Sequence, residues 1–167
     1  KYAGALARLI GLPPEIAFMI EKTAPMHDIG KIGIPDRILL KEGKLNDDEK
    51  NTMEQHTCFG EKIFGTNDSL MIQMAKSIAL NHHEQWDGSG YCSGLTGESI
   101  PIEGRITTIA DVFDALTTKR PYKEAWTVDV AVQHLQDGAG SAFDPNLIDI
   151  FVKNLPEMIK IMEEYSD

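Results

Sequence analysis

The chain has 167 residues, of which 42% are hydrophobic and 25% charged, and a formal net charge of −10. Length and composition suit one domain, spanning residues 1–167, with a buried core. The acidic balance argues against direct nucleic-acid binding, no apolar run is long enough to cross a membrane, and no secretory signal pattern opens the chain. The two cysteines, Cys58 and Cys92, are too few and too isolated for a disulfide framework, so a reducing, cytoplasmic setting is expected.

The chain reads as helix after helix. Ala3, Leu6, Ala7, Leu9 and Ile10 form an apolar stripe that stops at Gly11. Pro13 and Pro14 mark a new helix start, and Ile16, Ala17, Ile20 and Ala24 carry its apolar face towards His27-Asp28 before Gly30, Gly33 and Pro35 break the pattern. Asn46 followed by Glu49 predicts a capping box, with Met53, His56, Gly60, Ile63 and Phe64 at helical spacing after it. Ser69 is the expected cap of the next helix, whose face holds Leu70, Met74, Ile78 and His82. A glycine-rich loop follows from Glu84. Pro101 opens a helix with Ile102, Ile106, Ile109, Ala110 and Phe113 inward, and residues 117–123 form a short polar connection. Thr127 caps a helix ended by Gly138 and Gly140. Asp144-Pro145 pairs an N-cap with proline at the first helical position, and Pro156 starts a last helix ending near Tyr165. No segment shows sustained period-two alternation, so an all-α domain is predicted.

Four of the five histidines fall in three islands: His27, His56 and the pair His82-His83. Imidazole combined with carboxylate, leaving positions for water and substrate, is a ligand set for divalent ions that activate water. Neighbours on a helix face different ways. His27-Asp28 and His82-His83 are therefore poor designs for one mononuclear site; they suit two or more ions, with one neighbour for each ion or a carboxylate bridging both. Asp111 sits on a further helix, with Asp114 one turn on. This inventory, without cysteine, favours Fe or Mn over a structural zinc site. Plainer readings stand beside it. His27 suits a helix C-terminus on dipole grounds alone, His56 suits a satisfied half-buried histidine, and His83 and Asp111 suit a structural bond. Lys31, Arg120 and Lys123 suit solvated cations, and His134 matches no motif and is expected at the surface.

Taken in order, several runs resemble the HD superfamily of metal-dependent phosphohydrolases, and within it the HD-GYP domains. They are HDIGKIGIPDRILLKEGKL from His27, the histidine at His56, NHHEQWDGSGY from Asn81, IADVFDALTTKRPYK from Ile109 and GSAFDPNL from Gly140. The resemblance covers nearly the whole chain. It implies an all-helical HD bundle that hydrolyses c-di-GMP to linear pGpG, and in some members onward to GMP. It implies two divalent ions held by His27, Asp28, His56, His82, His83 and Asp111, with Asp28 bridging, and with Fe or Mn ahead of Zn, Ni and Mg. Metal-activated water attacks phosphorus in line, and Lys31 neutralises phosphate charge or assists the leaving oxygen. Arg120 and Lys123 match positions that contact the dinucleotide, and Asp114 is placed with them at the substrate. The resemblance further implies an output domain of a bacterial signalling protein, with an N-terminal sensor or receiver domain, diguanylate-cyclase domains and a second copy as candidate partners.

Two departures accompany it. The GYP of the subfamily reads Gly90-Tyr91-Cys92, which removes a proline that would fix the backbone after Tyr91. A further ligand expected on the helix before the first signature falls, by spacing, before Lys1, which weakens the case for a third ion. These departures keep open a rival reading, a metal-bearing or metal-poor module that senses c-di-GMP or docks a partner without turnover, and the lack of a base-reading pattern keeps open a phosphohydrolase of another nucleotide.

Overall fold

The structure is a computed structural model that describes residues 1–119 and 124–165. Ten α-helices are formed among the described residues: α1 (Tyr2–Leu9), α2 (Pro14–Thr23), α3 (Asp36–Leu39), α4 (Asp47–Glu54), α5 (His56–Phe64), α6 (Leu70–Asn81), α7 (Ile102–Thr117), α8 (Val128–Asp137), α9 (Pro145–Lys153) and α10 (Leu155–Tyr165). There is no strand among them, only an isolated bridge between Ala139 and Phe143. None of these helices is long and apolar enough to cross a membrane.

Local chemistry explains most of the boundaries. Asn46 accepts from the Glu49 amide at 2.9 Å while the Glu49 carboxylate accepts from the Asn46 amide at 2.8 Å, closing the capping box that starts α4. Asp144 accepts from the Asn146 amide at 2.9 Å and leads into Pro145, and Thr127 caps α8. Ser69 precedes α6 but makes no side-chain cap; its amide instead donates to Asn67 Oδ1 at 2.8 Å. The last helix begins at Leu155, one residue before Pro156.

The longest helix, α7, lies at the centre. Its Ile106, Ile109, Phe113 and Leu116 meet Leu6 of α1, Ile20 of α2, Leu135 of α8 and Phe151 of α9 in one apolar core. Phe113 packs edge-on to Tyr2 at 5.2 Å and to Phe151 at 5.0 Å between ring centroids. This core fixes α7 and leaves α5, α6 and the chain after α2 to meet at one side.

At that side the packing has no spare room. A Cβ on Gly30 would fall 1.8 Å from the His56 carbonyl oxygen and 2.4 Å from the Gly60 amide nitrogen. A Cβ on Gly60 would in turn fall 2.9 Å from the Ala79 Cβ. The turn after His27-Asp28, helix α5 and helix α6 therefore stack through Gly30, Gly60 and Ala79. That contact sets how closely the histidines approach.

Candidate metal centre

His27, His56 and His82 each sit where a helix begins or ends. His27 follows a 3-10 turn, Ala24–Met26, that continues α2, and Asp28 heads a second one, Ile29–Gly33. His56 is the first residue of α5, and His82 is the cap residue after α6. Because the helix stops at His82, His83 turns back to the same spot. The adjacent pair is thus brought together with His56 and Asp28, contrary to the expectation that neighbours would face apart. One ligand atom from each of Asp28, His56, His82 and His83 lies within 4.8 Å of the others. Ligands on one ion, at bond lengths of about 2.0–2.2 Å, sit about 3–4.4 Å apart, so a shift of a few tenths of an ångström would close the set.

Three rings are aimed in the same way. His27 Nδ1 lies 2.8 Å from the Ala24 carbonyl oxygen, and His56 Nδ1 lies 2.8 Å from that of Met53. His82 Nδ1 lies 3.1 Å from those of both Ile78 and Ala79. A carbonyl cannot donate, so Nδ1 carries the proton and donates in each ring, and Nε2 of the neutral ring is bare. His56 Nε2 and His82 Nε2 then face each other at 3.4 Å as two lone pairs. Asp28 Oδ1 approaches them at 3.4 and 3.8 Å, buried and with no hydrogen-bond partner. Three unpaired acceptors aimed at one point in a buried site are costly without a cation between them. The residues present fit a divalent ion on that ground.

The other oxygen of Asp28 faces a different set. Asp28 Oδ2 lies 2.6 Å from Lys31 Nζ and 3.4 Å from His27 Nε2, and His27 Nε2 lies 3.6 Å from Asp111 Oδ1. Asp28 therefore stands between the His56 and His82 imidazoles on one side and that of His27 on the other, one oxygen towards each. Two ions about 3.5–4 Å apart are commonly spanned in this manner.

The two sides differ in charge state. Burial, reinforced by the neighbouring imidazoles, pushes His82 down to about 2, and burial with His56 pushes His83 down to about 4. His56 is also lowered, by burial first. Burial acts downward on His27 too, but Asp28, the Ala24 carbonyl and Asp111 outweigh it and raise that ring above its ordinary value. For Asp28, burial acts upward and is overcome by His27 and Lys31, which hold the carboxylate well below its usual range.

Several residues that serve this site carry no metal-ligand signal in the sequence. Tyr91 stacks on His83, with ring centroids 4.8 Å apart and planes inclined by 27°, and the Tyr91 amide donates to the His83 carbonyl at 3.2 Å. Buried Glu84 accepts from the amides of Cys92 at 3.3 Å, Ser93 at 2.6 Å and Leu95 at 3.0 Å, and so holds the glycine-rich loop. The same loop is pinned by the Trp86 and Asp87 amides on the carbonyls of Ala142 and Ser141. Beyond it, Arg105 Nη1 donates to Asp144 at 2.7 Å. The run from Gly140 to Leu147 thus braces the loop.

Asp114 is exposed one turn after Asp111. Together with Tyr2, His27 and Asp111 it lines an open groove of about 250 Å³ beside the centre. Arg120 and Lys123 lie outside the described residues. His134 is remote, with its ring edge-on to Trp126. The cysteines contradict the expectation that they are isolated. Cys58 Sγ and Cys92 Sγ lie 2.6 Å apart because α5 and the loop after Tyr91 run side by side.

The HD domain family matches residues 1–147. The chain is 47% identical over 164 residues to RpfG of Xanthomonas campestris pv. campestris, named a cyclic di-GMP phosphodiesterase response regulator. That alignment covers 98% of this chain and 43% of that protein. It is 45% identical over 166 residues to the 3'3'-cGAMP-specific phosphodiesterase 2 of Vibrio cholerae, covering 99% of this chain and 32% of that protein. The chain therefore spans less than half the length of these relatives. A crystal structure of a cyclic GMP-AMP specific phosphodiesterase of V. cholerae, V-cGAP3, superimposes with a TM-score of 0.61 at 16% identity. The superposition covers 96% of this chain and 43% of that one, and the two share the helical fold.

Proposed function

The chain belongs to the HD-domain family, and on that footing we propose that it hydrolyses the phosphodiester bonds of c-di-GMP at two divalent ions, Fe or Mn. The observation that carries this reading is the split aim of Asp28, with Oδ1 towards His56 and His82 and Oδ2 towards His27. His56, His82 and His83 with Asp28 Oδ1 would hold one ion, and His27 and Asp111 with Asp28 Oδ2 the other. Bound ions would polarise a phosphoryl oxygen and acidify water.

The chain's own residues supply the rest. The carbonyls of Ala24, Met53, Ile78 and Ala79 hold three rings in the tautomer that presents Nε2. Lys31 Nζ, on Asp28 Oδ2, places a positive charge where a phosphate oxygen would approach, in a chain whose net charge of −10 otherwise repels it. The groove flanked by Asp114 and Tyr2 leads to the His27 side. Arg120 and Lys123, outside the described residues, are assigned to the dinucleotide by their match to family positions that contact it. The domain would act in the cytoplasm as the output unit of a longer signalling protein with an N-terminal sensor or receiver domain. The greater length of its relatives supports this, as does the name response regulator carried by one of them.

The near-equal identity to a relative named for 3'3'-cGAMP favours one second reading, in which that dinucleotide is the substrate. Protein purified without oxygen, analysed for metals and offered c-di-GMP and 3'3'-cGAMP in parallel, separates the two. Cleavage of c-di-GMP to pGpG, lost by about 10³-fold together with the metals in Asp28→Ala, is expected. Cleavage of 3'3'-cGAMP alone would replace the substrate. Tight dinucleotide binding without product after Fe or Mn loading would replace the enzyme with a binding module.

A further inference from the structure

Cys58 and Cys92 are 34 residues apart in the chain, yet their Sγ atoms lie 2.6 Å from each other, about 0.5 Å beyond the covalent S–S length of ~2.05 Å. Cys58 is half-buried on α5, two residues after His56. Cys92 is exposed, directly after Tyr91, on a loop whose backbone Glu84 holds through the amides of Cys92 and Ser93. Neither thiol takes part in the proposed hydrolysis. We propose that Cys58 and Cys92 form a reversible redox pair whose disulfide fastens the Tyr91 loop to the helix that carries His56.

A small-molecule disulfide such as oxidised glutathione is the oxidant class the pair would meet. The exposed Cys92 sulfur attacks it, forming a mixed disulfide and releasing one glutathione thiol. The Cys58 sulfur then attacks the Cys92 sulfur, forming the Cys58–Cys92 bond and releasing the second glutathione thiol. The two protons leave on the two released thiols. Two electrons pass from the cysteines to glutathione, and a dithiol reductant reverses both steps. The second step is intramolecular between atoms already in contact, so the mixed disulfide does not accumulate.

The bond joins two parts of the centre that also meet through ring contacts of His56 with His83 and Tyr91. On one side is the first turn of α5, with His56; on the other is the loop whose Tyr91 ring covers His83. A cross-link over this span restricts the unfolded chain and holds the loop in place. The pairing itself is independent of the proposed hydrolysis. Its bearing on His56 and His83 as ligands rests on that reading.

The test uses the Mn(II)-loaded protein, equilibrated with oxidised glutathione and digested without reduction. One peptide joining Cys58 to Cys92, an intact mass lower by two hydrogens and no glutathione adduct are expected. Tm should rise by about 5 °C over the reduced protein, reversed by dithiothreitol. Cys58→Ser and Cys92→Ser should each carry a single adduct, with no rise in Tm. Stable adducts on both cysteines of the unaltered chain, cross-links between chains, or a cross-link that leaves Tm unchanged would overturn the proposal. Cross-linking in a protein that cleaves no dinucleotide would count against the hydrolase alone, and cleavage without cross-linking against the redox pair alone.

Discussion

The two sides of Asp28 are built on different principles. On one side His56 and His82 are buried and His83 half-buried, burial disfavours the charged form of all three rings, and two of them are fixed on helix carbonyls. The His27 and Asp111 side is partly open to the groove, and two carboxylates raise its single imidazole. On the proposed two-ion reading, geometry and dryness would favour a cation on one side and charge on the other. A proton is therefore a weak competitor for the first side and a strong one for the second.

The largest expected break in this arrangement comes from Gly30→Ala. A methyl group there meets the His56 carbonyl and the Gly60 amide, both backbone, so the turn bearing Asp28 must move away from α5. That overpacking should cost about 1–3 kcal/mol and lower Tm measurably. It should also remove metal from both sides at once, since Asp28 serves both. Calorimetry and metal analysis of the variant check this; retention of both metals would show that the close stacking does not set the site.

Acidification should separate the sides rather than break them together. A metal must displace any proton on the imidazole it binds. His27, raised above its ordinary value, takes up its proton before the others as pH falls, whereas His83 and His82 gain theirs only near pH 4 and pH 2. Lowering pH from about 7.5 to about 5.5 should therefore release metal from the His27 side first, leaving a second step at lower pH. Equilibrium dialysis from about pH 7.5 down to about pH 3.5 should show two steps if the sides differ as described, and His27→Gln should abolish the first. The metal-free protein has a related signature. Below about pH 6.5 the depressed histidines bind protons more readily in the unfolded chain, so Tm should fall as pH drops. The raised His27 opposes this trend, one ring against three.

The smallest expected effect sharpens the description of the buried side. Tyr91→Leu removes the ring stacked on His83 and should weaken metal binding by about 10-fold, while Tyr91→Phe should leave it unchanged. Equal loss in both variants would assign the effect to the phenol oxygen instead of the ring.

How much of this was legible in the sequence varies with the range of the interaction. The caps at Asn46, Thr127 and Asp144-Pro145 are local, and the residue types state them directly. The all-helical fold followed from period and from the absence of alternation. The meeting of His82 with His83 goes against the rule that neighbours on a helix face apart, because the helix closes at Asn81 with His82 as its cap residue and His83 lies beyond it. The cysteine contact and the stacking of Tyr91 on His83 depend on how the loop returns over α5, which no spacing rule conveys. One signal was available and unused. His27 lies three residues after Ala24 and His56 three after Met53, and His82 lies three and four residues after its two carbonyl partners. At helix ends these are the separations at which a ring can bond its own preceding turn.

Those bonds also determine how the centre fails. A ring aimed by its own stretch of chain does not take its direction from neighbouring ligands. Removing one imidazole subtracts one bond and leaves the other two anchored rings pointing where they did. The assembly is modular in aim although shared in charge, so damage to single histidines is graded, and only the carboxylate common to both sides turns a local loss into a complete one.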